Sequence, residues 1–321
     1  MTTFRARLAM LGPVAALTAA TLAPVQLAGA QPAAAADREW VALGDSHTAG
    51  VIKAAGDTFE VPRDGCERTD QSYPQAIDGD LHSLFDLKNV SCGAATINDI
   101  TFRAQEPIGH NLPGRPDPDH PFPAVPPQSE AVGEGTDVIT VGEGGNTLGF
   151  ADILFQCMSL GGETGGEGTP CKDALAAGIP GRLAKVSDDY DEMLTVLHER
   201  APHAKILSVG YPTVIPRDTS TCEYGNLEQF ATITRGDLGW LRTDVLEALD
   251  KTIEKSAGAL DAARFVNLYD SSRNHSVCDS RTWVEGITAR SGDLALVHPN
   301  YLGHRNAADQ VAAAMLDTLD G

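Results

Sequence analysis

The chain has 321 residues, 44 of them acidic and 24 basic, for a formal net charge of −20. A surface that acidic repels phosphate backbones and anionic lipid headgroups, which argues against a nucleic-acid partner. The length suits one large core, and no linker-like stretch interrupts the strand and helix signals, so a single domain is expected.

Residues 1–30 read as an export signal rather than as part of the fold. Arg5 and Arg7 precede an apolar run from Leu8 to Leu27, broken by Pro13 and Pro24, and Ala28-Gly29-Ala30 offers a small-residue cleavage pattern. These features favour cleavage over a retained anchor, with a cut among residues 33–36 as the alternative. The expected mature protein is a secreted, monomeric domain over residues 31–321 with no stable membrane insertion.

The first strand signal, Val41-Ala42-Leu43, runs into Gly44-Asp45-Ser46. An apolar run ending in such a turn reads as a buried parallel strand that holds a side chain at the carboxyl edge of a sheet. The plainer alternative is that Asp45 and Ser46 only cap the next helix. Six cysteines follow along the chain, an even number that in an exported protein implies disulfides, with fifteen connectivities open. No CxxC spacing occurs, which argues against a zinc ribbon or a redox site.

Residues 73–84 look helical, and residues 84–90 read as a second strand that ends in Cys92-Gly93-Ala94-Ala95-Thr96. From residue 105 to 135 the chain is irregular and carries eight prolines, which suggests a semi-rigid wall over a site. Within it, Asp117-Pro118-Asp119-His120 is expected to be a surface loop and not a metal site. A third strand over residues 137–141 runs into Gly144-Gly145-Asn146. The glycine-rich residues 161–168 lack a following Lys-Ser or Lys-Thr and are expected to form a flexible link, not a phosphate loop. Amphipathic helices over residues 179–200 and 238–259 alternate with strands over 205–210 and 264–268, and the chain closes with His298-Pro299-Asn300 and a last helix to about Leu319.

Alternating strands and helices mean an α/β fold, with a parallel sheet covered on both faces and its ligand site at the carboxyl ends of the strands. Ser46, the turn after Cys92 and Asn146 each follow a proposed strand and should converge there. Such a set suits acyl transfer. Ser46 would be the nucleophile and His298 its base, while the N–H groups of Ser46 and of Gly93 or Ala94, with the Asn146 side-chain amide, would form an oxyanion hole.

These blocks, in this order, resemble the four blocks of the SGNH, or GDSL, hydrolases. The six cysteines, Gly210-Tyr211-Pro212 and Trp283-Val284-Glu285 are similar to the secreted, three-disulfide bacterial lipase and esterase branch. The resemblance implies a flavodoxin-like three-layer sandwich with a five-stranded parallel sheet in the order 2-1-3-4-5. It also implies sequential disulfides: Cys66–Cys92, Cys157–Cys171 and Cys222–Cys278.

Three positions depart from the family pattern. Ala94 stands where a glycine is usual, which leaves open whether Gly93 or Ala94 gives the second N–H. Thr147 replaces an aspartate after Asn146. Ala295 replaces the aspartate three residues before the histidine, so either the Ala295 main-chain carbonyl, the favoured choice, or Asp293 orients His298. The remaining histidines, His82, His110, His120, His198, His203 and His304, are read as solvated or structural, His275 as packing near a cysteine bridge, and His47 as a candidate for lining the pocket. The expected activity is hydrolysis of small-molecule or lipid esters without a metal or cofactor. Deacylation of glycans, or an inactive binding protein on the same fold, are the alternatives.

Overall fold

Five short runs form the strands β1 (Arg38–Gly44), β2 (Phe85–Asn89), β3 (Thr136–Gly142), β4 (Lys205–Val209) and β5 (Ala263–Val266). In the computed structural model, which describes residues 38–52, 63–110 and 117–319, they pair in parallel in the order β2-β1-β3-β4-β5. The expected export signal lies outside the described residues, as do residues 111–116 of the proline-rich segment.

The connections are helical. They are α1 (Ser46–Ala49) and α2 (Tyr73–Leu81) before β2, α3 (Ile97–Thr101) before β3, and α4 (Gly145–Leu148), α5 (Phe150–Glu163), α6 (Pro170–Leu175) and α7 (Ile179–Arg200) before β4. α8 (Arg235–Trp240) and α9 (Glu247–Ala257) precede β5, and α10 (Leu268–Ser271) and α11 (Tyr301–Asp317) follow it.

Side chains alternate along a strand, so each interior strand feeds both faces of the sheet. Trp40, Ala42, Val138 and Leu207 pack with Ile77 of α2 and Val311 and Met315 of α11. Val41, Leu43, Ile139, Val141 and Ile206 pack on the other face with Ile100 of α3, Tyr190 and Met193 of α7, and Ile253 of α9. With both faces covered, the central strands are buried along most of their length and largely apolar in their interiors, broken there only by Thr140 in β3 and Ser208 in β4, which is why they were legible as strands.

The three disulfides pair sequentially: Cys66–Cys92, Cys157–Cys171 and Cys222–Cys278. Two elements differ from the sequence reading. The helix expected over residues 238–259 is interrupted by a π-helical turn at Leu241–Leu246, yet Leu238, Leu241, Val245, Leu249 and Ile253 all stay buried, so the apolar stripe persists through the change of winding. The glycine-rich stretch is not wholly a flexible link. Gly161 sits in the last turn of α5, where a Cβ would lie 2.1 Å from the Thr232 carbonyl oxygen, so only glycine allows that approach.

The proline-rich segment is tied to the sheet. Gln105 and Val125 exchange backbone hydrogen bonds (2.9 and 2.8 Å), and the Gln128 amide accepts from the N–H of Gly44 (2.8 Å) and donates to its carbonyl (2.9 Å) at the end of β1. Residues 118–120 form an exposed loop, as expected, while Asp117 at its start is buried. Its carboxylate takes Arg63 (2.6 Å) and the N–H groups of His110 and Asp119 (2.9 and 3.0 Å).

Candidate active site

The sheet order reverses between β1 and β3, and in such sheets the crevice beyond the strand ends opens at that point. Both turns that leave these strands enter it. At the end of β1, Gly44 has φ +150° and a Cβ there would lie 2.3 Å from the Thr48 hydroxyl, so the tight turn requires glycine. Asp45 then caps α1 by accepting the His47 N–H (2.8 Å), which fixes Ser46 as the first residue of that helix. The Ser46 N–H makes no hydrogen bond to a described residue.

The His298 ring spans two partners, with Nδ1 2.7 Å from the Ala295 carbonyl oxygen and Nε2 2.6 Å from Ser46 Oγ. A carbonyl only accepts, so Nδ1 carries the proton. In the neutral ring Nε2 is then the acceptor, and the Ser46 hydroxyl donates to it. The turn that aims this carbonyl is unusual. Leu296 and Val297 both have positive φ (45° and 59°) and the His298 N–H returns to the Ala295 carbonyl (3.2 Å), as in a type I′ turn, normally the province of Asn and Gly. Two non-glycine residues held this way cost on the order of 1–3 kcal/mol each. Asp293 accepts from the Ser291 hydroxyl (3.1 Å) and is not among the hydrogen-bond partners of His298.

Of the two candidates after Cys92, Gly93 spends its N–H on the Cys66 carbonyl (2.9 Å), whereas the Ala94 N–H makes no bond to a described residue. Ala94 itself has φ +61°, in the left-handed region. From the β3 side, Asn146 gives one amide hydrogen to the Ala95 carbonyl (2.8 Å) and keeps the other. Thr147 accepts the Ile97 N–H (2.9 Å) and donates to Glu143 (3.0 Å), so a hydroxyl links the second and third blocks.

Sequence reasoning missed a brace beneath the site. The Tyr211 hydroxyl donates to Asp45 Oδ2 (2.7 Å) and accepts the Gly145 N–H (2.9 Å), joining the turns after β1 and β3. Burial raises the Asp45 carboxyl and pushes that of Glu143 well above the usual carboxylate range. Burial also lowers the His298 imidazole to about 4, helped by His47, whose ring centroid lies 4.6 Å away.

Ser46, Ala94, Asn146 and His298 border a cavity of about 270 Å³. Phe150 and Leu154 of α5, with Leu294, Leu296 and Ile108, make it largely apolar. His110, read as solvated or structural, lines it too, as does Glu67. α5 was not read from the sequence, although Ile153, Leu154 and Cys157 supply the helical spacing that could have found it. His275 stacks on Trp283 with centroids 3.6 Å apart, and His304 is buried in the core.

Residues 42–305 match the GDSL-like lipase/acylhydrolase family. The chain is 31% identical over 275 residues to Lipase 2 of Streptomyces coelicolor, covering 84% of this chain and 83% of that one. It is 28% identical over 331 residues to an esterase of Streptomyces scabiei, covering 92% and 90%. Its fold is similar to the crystal structure of an extracellular lipase from Streptomyces rimosus, with a TM-score of 0.60 at 19% identity over 86% of this chain and 99% of that one.

Proposed function

This chain belongs to the GDSL-like lipase/acylhydrolase family and is a carboxylic ester hydrolase, and we propose that it works through an acyl-enzyme on Ser46 with His298 as general base. The observation that carries this reading is the 2.6 Å contact between Ser46 Oγ and an imidazole nitrogen left unprotonated by the Ala295 carbonyl.

As Oγ attacks the ester carbonyl, its proton passes to Nε2, and the carbonyl oxygen becomes an oxyanion. In this reading its donors are the N–H groups of Ser46 and Ala94 and the second amide hydrogen of Asn146, none of which has a partner among the described residues; one such donor is worth roughly a hundred- to a thousandfold in rate in comparable sites. The imidazolium returns its proton to the leaving alkoxide, and a water activated by the same nitrogen then hydrolyses the acyl-enzyme. A main-chain carbonyl does the orienting that a third acidic residue does elsewhere, so Ser46 and His298 act as a dyad.

Three disulfides and the amino-terminal pattern support export, with residues 1–30 removed. Among the described residues no helix is long and apolar enough to cross a membrane. The test is hydrolysis of chromogenic esters from acetyl to palmitoyl by the oxidised protein. Turnover is expected in the wild type and a loss of at least about a thousandfold in Ser46→Ala; equal rates in the two proteins would remove Ser46 from the mechanism.

A further inference from the structure

The wall of the cavity beside the second-block turn carries a charged group that the ester chemistry does not use. Glu67 is only 7% exposed, yet it borders the same cavity as Ser46, Ala94 and Asn146. Its Oε1 lies 2.8 Å from His110 Nδ1. Its Oε2 faces the second-block turn, where a Cβ built on Gly93 would stand 3.6 Å from it, and accepts no hydrogen bond from a described residue. A buried carboxylate has about four lone-pair sites and normally fills them. Among the described residues this one has a single partner, and it borders a cavity.

Its backbone is held there at a cost. Glu67 has φ +60°, a left-handed conformation worth on the order of 1–3 kcal/mol of strain for a residue that is not glycine. The Cys66–Cys92 bond and the Gly93 N–H on the Cys66 carbonyl tie the preceding residue to the turn that presents Ala94.

We propose that Glu67 receives a free hydroxyl on the alcohol part of the substrate, so that the preferred substrates are acyl esters of neutral polyols such as glycerol or a sugar. A carboxylate accepts and cannot donate, so its partner must bring an O–H or N–H. The His110 ring already fills Oε1, and Glu67 in turn raises the pKa of that imidazole, so the remaining oxygen calls for one short donor such as a hydroxyl, which a quaternary ammonium lacks. The aliphatic and aromatic wall of Phe150 and Leu154 suits the acyl chain instead. This rests on the reading of Ser46 as the nucleophile of an ester hydrolase.

The experiment compares three esters of octanoic acid, those of ethanol, glycerol and choline, as kcat/KM for wild type, Glu67→Ala and Glu67→Gln. The wild type should prefer the glycerol ester to the ethyl ester, and Glu67→Ala should cut that preference by about ten- to a hundredfold, chiefly through KM, as expected for a lost hydrogen bond to a charged group. Glu67→Gln, which keeps an acceptor oxygen and the side-chain volume, should fall between them; it decides the matter if the alanine variant does not fold. Equal losses on the ethyl and glycerol esters would make Glu67 a structural residue and overturn the proposal, as would an unchanged preference or a wild type that favours the choline ester. A wild type inert on all three esters would instead overturn the Ser46 reading, and this one with it.

Discussion

His298 can take the Ser46 proton only while its own Nε2 is unprotonated, and its surroundings extend that condition well into acid. Burial, and then the neighbouring His47, lower the imidazole to about 4. The sign is that of a base whose charged form is destabilised, so protonation, and with it loss of activity, comes at lower pH than for a free imidazole. The log of kcat/KM should accordingly be level from neutrality down to about pH 5 and fall with unit slope as pH drops through about 4. A midpoint between pH 6 and 7 in the pH–rate profile would mean that the ring is solvated in the working enzyme. The carbonyl of Ala295 fits this picture, because a dipole fixes the tautomer without the full charge by which a carboxylate would raise the pKa.

The elements of the site are turns, and their geometry is made of left-handed residues. Ala94 presents its N–H at φ +61° and Leu296-Val297 aim the Ala295 carbonyl at positive φ, while Glu67 shares the habit within the loop that Cys66 ties to Cys92. For Ala94 the side chain is incidental, since the useful group belongs to the backbone. Ala94→Gly should therefore keep kcat within a few-fold, because glycine adopts this φ freely and retains the N–H. Ala94→Pro removes the N–H and fixes φ near −65°, and should lower kcat by roughly a hundred- to a thousandfold. Steady-state kinetics on both variants, with thermal melts to establish folding, make the comparison, and equal activities would place the second donor elsewhere.

At the scale of the whole molecule, the sheet and its two helical layers carry buried carboxyls that link the site to pH-dependent stability. Asp250 of α9 accepts the Tyr211 N–H (2.8 Å) just after β4. Burial, reinforced by Glu254 and Glu247, raises it to about 7. The folded state thus holds a proton that the unfolded chain releases near pH 4, so the stability this group allows is full below about pH 4 and lost progressively as pH rises towards 7. Asp250→Asn keeps an acceptor for Tyr211 and removes the ionisation. It should melt higher than wild type at pH 8, by an amount bounded at roughly 4 kcal/mol, with the gap closing in acid. A constant difference across that range in calorimetric melts would show that Asp250 does not titrate between the two states.

The parallel α/β class and the convergence of Ser46, the Cys92 turn, Asn146 and His298 were legible in the sequence. Buried strands write themselves as apolar runs, and catalytic turns must use residue types that few other needs require. Local pattern also placed α7 correctly, since Val186, Tyr190, Leu194 and Leu197 repeat at helical spacing. What the local pattern could not carry was anything decided by groups distant along the chain. That Gly93 is consumed by Cys66 and Ala94 is not, that Tyr211 clasps Asp45 and Gly145, and that His110 meets Glu67 inside the cavity depend on which backbone groups already have partners. Hydrogen bonds saturate, so a donor's availability is a property of the folded neighbourhood and not of the residue. The sequence determined the fold class, the candidate residue types and the favoured carbonyl at Ala295; the tertiary structure alone decided which N–H and which carboxylate oxygen keep an unfilled hydrogen-bonding site.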